Sequence, residues 1–372
     1  MVSRTGRLLS LDVLRGFDML FIMGFQAFLV QLLAALGCPS DFLEEQFEHV
    51  TWHGLRFEDT IFPLFLFLAG VSWPFSLAKR RERGDSTTQI VRRVIGRGLS
   101  LCVLGFVYNG VCNLDFANMV WGAVLTRIGI AWALAALLSV FLERRSRIVI
   151  AVAILLAHWA ICVLVPAPDT HGLDPLSARG CFAGWLDRLL LPGALTQSGV
   201  ISNQGILGTF TSVVTAMLGI FAGEILLRSD LTGDRKSFVL EIGAAVLIGM
   251  GCFMAFGFGR YSMPFNKILW SSSFTLVVGG YSVMMLALFY WVIDVRSWWH
   301  RTLFFRVIGM NSITIYMANK IMGFNGFAVF FFGGLAELLP QAWAKTVILG
   351  ATLGFEWLFL YCLYRKNVFL RV

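Results

Sequence analysis

Charge is what this sequence has least of. Asp, Glu, Lys and Arg make up 14% of its 372 residues, against about 25% in a soluble protein. That shortage excludes an ordinary water-soluble domain. No Pro- or Ser-rich linker or polar block is long enough to separate a second domain, so residues 1–372 read as one membrane domain. The seven cysteines contain no CxxC pair, which argues against a thiol-ligated metal or a thioredoxin-type redox motif. Cys102, Cys162, Cys252 and Cys362 fall in apolar runs as small core residues, while Cys38, Cys112 and Cys181 fall in loops where a disulfide is an open question. An internal repeat is also missing, which weakens an inverted-repeat transporter reading. Asp12, Arg15 and Asp18 interrupt the first apolar stretch, and no small-residue cleavage site follows it. It therefore reads as a retained first span rather than a leader.

What the chain has instead is apolar length. It is 58% hydrophobic, with 34 Phe and 12 Trp, and its mean hydropathy is +0.76. About ten spans are expected, near 10–36, 60–78, 95–113, 117–142, 148–166, 203–227, 238–258, 267–293, 303–323 and 341–364. The fold class is all-α, a polytopic integral membrane helix bundle in a lipid bilayer. The 167–202 loop should hold one short helix near Trp185, and 324–340 has the look of a re-entrant segment.

The net charge of +8 invites a nucleic-acid reading, but the cations sort by loop. Of 30 Lys and Arg, 21 fall in 1–9, 79–97, 143–147, 228–237, 294–306 and 364–372, and five (Arg56, Arg179, Arg188, Arg260, Lys267) in the alternate loops. This is the positive-inside asymmetry. It places both termini in the cytoplasm and accounts for the charge without nucleic acid.

The chain is organised around FEHVTWHGLRFEDTIFPLFLFLAGVSWPFSLAKRRER, residues 47–83. Thr60–Ala78 gives nineteen uncharged residues, closed by Lys79, Arg80 and Arg81. That run spans a bilayer core as a helix. His49 then lies just outside the non-cytoplasmic face, and Asp59 sits at the helix mouth. A carboxylate bonded to one imidazole nitrogen fixes the tautomer and leaves the other as a base. Surface imidazole and general base are both open at this point. A metal site is the weaker option. Glu45, His49 and His53 are spaced by four, but HVTWH has Val50 where the zinc-protease helix needs Glu, and no metal is expected.

Ionisable groups inside spans are costly and often functional. Asp12 and Arg15 stand one turn apart at the start of span one, as an internal pair or as an Arg ready for phosphate. Arg127 in span four must face protein or a wet cavity, either paired or binding a ligand. Glu224 and Glu356 lie near cytoplasmic ends and read as reaching water or a local cation. Asn311, Asn319 and Lys320 occupy span nine, where the Asn pair is either interhelix glue or cavity lining. Asn266 and Lys267 stand at the mouth of span eight, followed by Trp270 and three Ser.

Several of these stretches resemble the heparan-alpha-glucosaminide N-acetyltransferase family and its bacterial relatives among transmembrane acyltransferases. The matching segments are SLDVLRG, HVTWHGLRFEDTIFPLFLFLAG, VLTRIGIA, NQGILGTF, PFNKILWSSS and IGMNSITIYM, in order over nearly the whole chain. The resemblance implies a multi-span bundle that takes acetyl from acetyl-CoA on the cytoplasmic side. It implies transfer to the amino group of a terminal glucosamine on the opposite side, with a His in the loop after span one as catalytic residue. By position this is His49, with Asp59 as its carboxylate. Two positions depart from the family pattern: Gln26 stands for an Asn, and Trp-Asn-Gly reads Trp52-His53-Gly54. The RGFDM and HVTWHG forms resemble a bacterial subset, which implies the inner membrane.

The resulting expectation is an acetyl-CoA-dependent N-acetyltransferase acting on an amino sugar. His49 and Asp59 are catalytic, and Gln26, Asn311 and Asn319 line the acetyl or oxyanion position. Arg15 and Arg127 bind CoA, and Trp52, His53, Asn266 and Lys267 bind the acceptor. A homodimer is an open option. The rival is a sugar permease with no covalent step.

Overall fold

The computed structural model describes residues 8–170, 172–196, 199–299 and 301–370. Arg4, Arg7 and Arg371, which entered the count of basic residues, lie outside them. Among the described residues the regular structure is helical: α1 (Leu9–Ile22), α2 (Phe25–Ala35), α3 (Asp41–Gln46), α4 (Glu58–Glu82), α5 (Thr87–Tyr108), α6 (Val124–Phe141), α7 (Arg144–Leu164), α8 (Phe182–Leu190), α9 (Ile206–Leu227), α10 (Gly233–Phe256), α11 (Ser272–Phe289), α12 (Leu303–Met310), α13 (Ser312–Met322), α14 (Phe324–Glu337) and α15 (Gln341–Arg365). Short 3-10 turns and a π-helical turn at Tyr290–Val295 complete it.

Seven helices are long and apolar enough to cross a membrane, rising to nine if each of two bent pairs is one span. The protein is an integral membrane protein on that basis. The expectation of ten spans differs in two places. Helix α5 carries Arg92, Arg93 and Arg97, which leaves it too charged along its first half to count as a span by composition. The expected single span over 303–323 is broken into α12 and α13 at Asn311, and α13 is bent by 65° against α14 instead. The first expected span, 10–36, is bent by 63° between α1 and α2. Gly24 makes that bend with φ of 105°, a left-handed conformation natural to glycine. The short helix expected near Trp185 is α8.

The chain gathers into two compact units. The first comprises Met1–His49, Arg56–Ile61 and Leu288–Arg371. Its organising contact is α1 on α12. A Cβ on Gly16 would meet the Phe305 carbonyl oxygen at 1.9 Å, and one on Gly309 would meet that of Asp12 at 1.9 Å. Two glycines thus let the helices touch backbone to backbone, as small residues do in membrane bundles. The start of α1 is capped from far along the chain, with the Leu9 and Ser10 amides donating to the Asp294 carboxylate at 3.2 and 3.1 Å. A carboxylate there satisfies orphan N–H groups and the positive helix end.

The second unit comprises Val50–Leu55 and Phe62–Ala287. Here α4 packs on α9 through Gly70, Gly219 and Gly223. A Cβ on Gly219 would lie 2.1 Å from the Phe67 carbonyl oxygen. Helices α5 and α6 cross through Gly98 and Gly129 in the same way. Glu224 pairs with Arg147 at 2.7 Å, so the local cation anticipated for Glu224 is on α7. All seven cysteines are free thiols.

Candidate active site

The site begins with a short helix that stops. Ser40 caps α3, its hydroxyl accepting from the Leu43 amide at 3.4 Å, and α3 ends at Gln46. Glu45, His49 and His53 therefore do not share a helical face. No group of three or more His, Cys, Asp or Glu fit to hold a metal occurs among the described residues.

Beyond α3, Phe47 joins Phe21 and Phe57 in an aromatic cluster, with ring centroids 4.9–6.1 Å apart. Such edge-to-face packing fixes both ends of the loop. The Gln46 side chain accepts from the Phe57 amide at 3.2 Å. Arg56 reaches Glu45 at 2.7 Å and Glu48 at 3.6 Å. These contacts hold His49 over the first turn of α4.

His49 Nδ1 lies 3.0 Å from Asp59 Oδ1. The His49 side chain is 59% exposed and that of Asp59 only 1%. The other Asp59 oxygen accepts from the Arg56 amide at 3.3 Å. A buried carboxylate at a helix N-terminus is favoured there by the orphan amides and the helix dipole. It holds its ring partner in one tautomer and orientation. An imidazole held in this way can take or give a proton at its outer ring nitrogen.

Comparison with known proteins gives this pair a context. No family model matches the chain. Curated relatives do: it is 26% identical over 329 residues to the heparan-alpha-glucosaminide N-acetyltransferase of Homo sapiens, covering 74% of this chain and 49% of that protein. It is 27% identical over 380 positions to the Mus musculus protein of the same name, covering 88% and 56%. The chain is thus similar, over most of its own length, to heparan-alpha-glucosaminide N-acetyltransferases. It spans about half the length of the curated relatives it matches.

The remaining expected acetyltransferase residues divide between the two units. In the first, Arg15 stands 3.8 Å from Asp12 on α1 and its side chain is 21% exposed. Gln26 on α2 is half-buried, and its Oε1 has no hydrogen-bond partner among the described residues. Asn311, at the α12–α13 break, donates to the Val368 carbonyl at 3.2 Å. Asn319 hydrogen-bonds Glu356 across α13 and α15.

In the second unit, Arg127 lies one turn into α6. It is buried, donates from Nη2 to the Gly205 carbonyl at 3.2 Å, and stacks over Trp270 at 4.9 Å. Its Nε and Nη1 lack hydrogen-bond partners among the described residues. Asn266 is a turn builder, its Oδ1 accepting from the Leu269 amide at 2.8 Å. Lys267 beside it is half-buried. Trp52 donates to the Leu176 carbonyl at 2.8 Å and packs on the core around Cys162, Cys181 and Met263. Partial burial holds the His53 imidazole below its usual range, against the opposing influence of Asp174 and the Leu176 backbone.

Asp187 was not singled out by sequence. Fully buried on α8, it accepts from the Ile206 amide at 2.9 Å and the Ser202 amide at 3.2 Å, so it caps α9. Burial raises its carboxyl above the usual range, while those amides, Arg127 and Arg188 oppose the rise. The sequence signal was only an acid in a Pro/Gly-broken loop, far along the chain from the buried Arg127 and the α9 start.

Proposed function

We propose that this protein is a membrane-embedded N-acetyltransferase that moves acetyl from acetyl-CoA to the amino group of a glucosamine-type sugar. The observation that carries the reading is the 3.0 Å contact of His49 Nδ1 with buried Asp59, in a chain similar over most of its length to proteins named for that transfer. Asp59 keeps the proton on Nδ1, which makes Nε2 the basic atom. The acceptor nitrogen attacks the thioester carbonyl, an N–C bond forms and the C–S bond breaks. His49 Nε2 takes the amine proton and delivers it to the departing sulfur. Transfer through an acetyl-His intermediate is the other route to the same product.

The developing oxyanion needs a donor. Gln26 is the proposed one, since the Asn311 and Asn319 amides already bond Val368 and Glu356. CoA enters from the cytoplasm with its phosphates at Arg15, and Arg127, two of whose nitrogens lack hydrogen-bond partners among the described residues, is proposed as a CoA-binding residue. Trp52, His53, Asn266 and Lys267 are proposed acceptor contacts, although Trp52 and Asn266 are partly committed to their own wall and turn. The 21-to-5 division of basic residues supports both termini on the cytoplasmic face, with His49 opposite; the proposed membrane is a bacterial inner membrane. A cysteine at position 49 that labels only from the cytoplasmic side would refute that orientation.

The direct test is purified protein with labelled acetyl-CoA and a panel of amino sugars. Acetylated sugar and free CoA thiol in equal amounts are expected. No transfer, together with counterflow of labelled sugar in proteoliposomes, would refute the reading in favour of a permease.

A further inference from the structure

The first unit contains a cleft of about 740 Å³ between α2, the Glu44–Glu48 stretch, the end of α14 and the start of α15. That volume lies within the range of about 300–1,000 Å³ that holds a small ligand. Its polar lining is Gln26, Gln31, Glu44, Glu48 and Lys345, with Phe47 at one side and aliphatic residues of α2 and α15 as its floor. Glu48 immediately precedes His49 in the chain.

The lining groups are largely uncommitted. Glu44 and Lys345 line the same space and make no ion pair with each other or with another group among the described residues. The Gln31 side chain likewise makes no hydrogen bond among them. Gln26 Oε1 is already withdrawn from solvent without a donor, a state that costs free energy until a donor fills it. Only Glu48 is partly engaged, at 3.6 Å from Arg56.

We infer that this cleft is a further acceptor subsite, and that Glu44 with Glu48 recognises the cationic ammonium form of an amino sugar. Gln31 and Lys345 are matched to its ring hydroxyls, and Phe47 and the aliphatic floor to its C–H face. A neutral hexose would lack the group that the two carboxylates select. The ammonium releases one proton to solvent before attack, and the proton lost as the N–C bond forms goes to His49, the residue after Glu48. The inference deepens the acetyltransferase reading and rests on it for the identity of the acceptor.

Glucosamine binding to purified full-length protein without acetyl-CoA tests the cleft apart from the chemistry. Calorimetry should show tighter binding of glucosamine than of N-acetylglucosamine or methyl glucoside. Glu44→Gln should weaken glucosamine about tenfold or more, the size of a lost charge-assisted contact, and abolish the preference over the neutral sugars. Gln31→Ala and Lys345→Ala should weaken all three sugars together. Glu44 and Lys345 are exposed, so these variants should fold, with circular dichroism as the check. Glucosamine bound equally by wild type and Glu44→Gln overturns the inference. If wild type acetylates glucosamine while Glu44→Gln shows an unchanged KM, the cleft assignment fails and the proposed function stands. If glucosamine binds with the predicted Glu44 dependence but no acetyl moves, the proposed function fails instead.

Discussion

Replacing His49 by alanine tests the centre of the mechanism. The His49 side chain is 59% exposed, so its removal takes little packing from the fold. Its designed interaction is the 3.0 Å bond to Asp59. Loss of a positioned general base lowers rate by about 10²–10⁴, which corresponds to about 2.7–5.4 kcal/mol of barrier. Asp59→Asn is the companion change. Its side-chain oxygen can still accept from the Arg56 amide, as Asp59 Oδ2 does at 3.3 Å. Its NH₂ facing the ring would favour the tautomer with the proton on Nε2, and that nitrogen could no longer act as a base. The rate should fall while acetyl-CoA binding is retained. The assay is initial-rate transfer of labelled acetyl to glucosamine in detergent, with thermal unfolding as the fold control. Transfer by His49→Ala within a few-fold of wild type would refute the mechanism. A binding-only fall in Asp59→Asn, with kcat unchanged, would refute the orienting role.

Other changes probe the surroundings. Arg15→Ala should weaken CoA by about ten- to a hundredfold, the loss of a charge-assisted phosphate contact of about 1.5–3 kcal/mol; unchanged calorimetric affinity removes Arg15 from the site. Gly16→Ala and Gly309→Ala should each cost about 1–3 kcal/mol or more by overpacking, because each new methyl meets a carbonyl oxygen at 1.9 Å. Gly96→Ala, which meets nothing within 4 Å, should leave the melting temperature within a degree or two, on the order expected of an unstrained helix surface. His53 has its pKa lowered from 6.5 by burial, so the unfolded chain binds more protons below that pH. Stability should therefore fall as pH drops through and below 6.5, by linkage. His53→Gln should flatten that part of the melting-temperature profile, and an identical slope in the variant contradicts the assignment.

The helical class and most of the spans were legible in the sequence because long apolar runs leave few alternatives in a bilayer. The run from Thr60 to Ala78, closed by three basic residues, lies within α4, Glu58–Glu82. The juxtaposition of His49 with Asp59 was legible too, since the two lie ten residues apart around the start of a helix. What the sequence alone could not decide depends on contacts distant along the chain. Asn311 looked like an interior residue of one span. Its bond to the Val368 carbonyl, 57 residues away, accompanies the break between α12 and α13. Asp187 looked like a loop acid until folding brought it onto the Ser202 and Ile206 amides. Glu44 and Lys345 share a cleft although 301 positions separate them. Local sequence sets where a helix can start and which stretches avoid water. Which buried polar groups meet is set by the packing of helices, and here that packing turns on glycines such as Gly16 and Gly309, whose missing side chains let distant backbones touch.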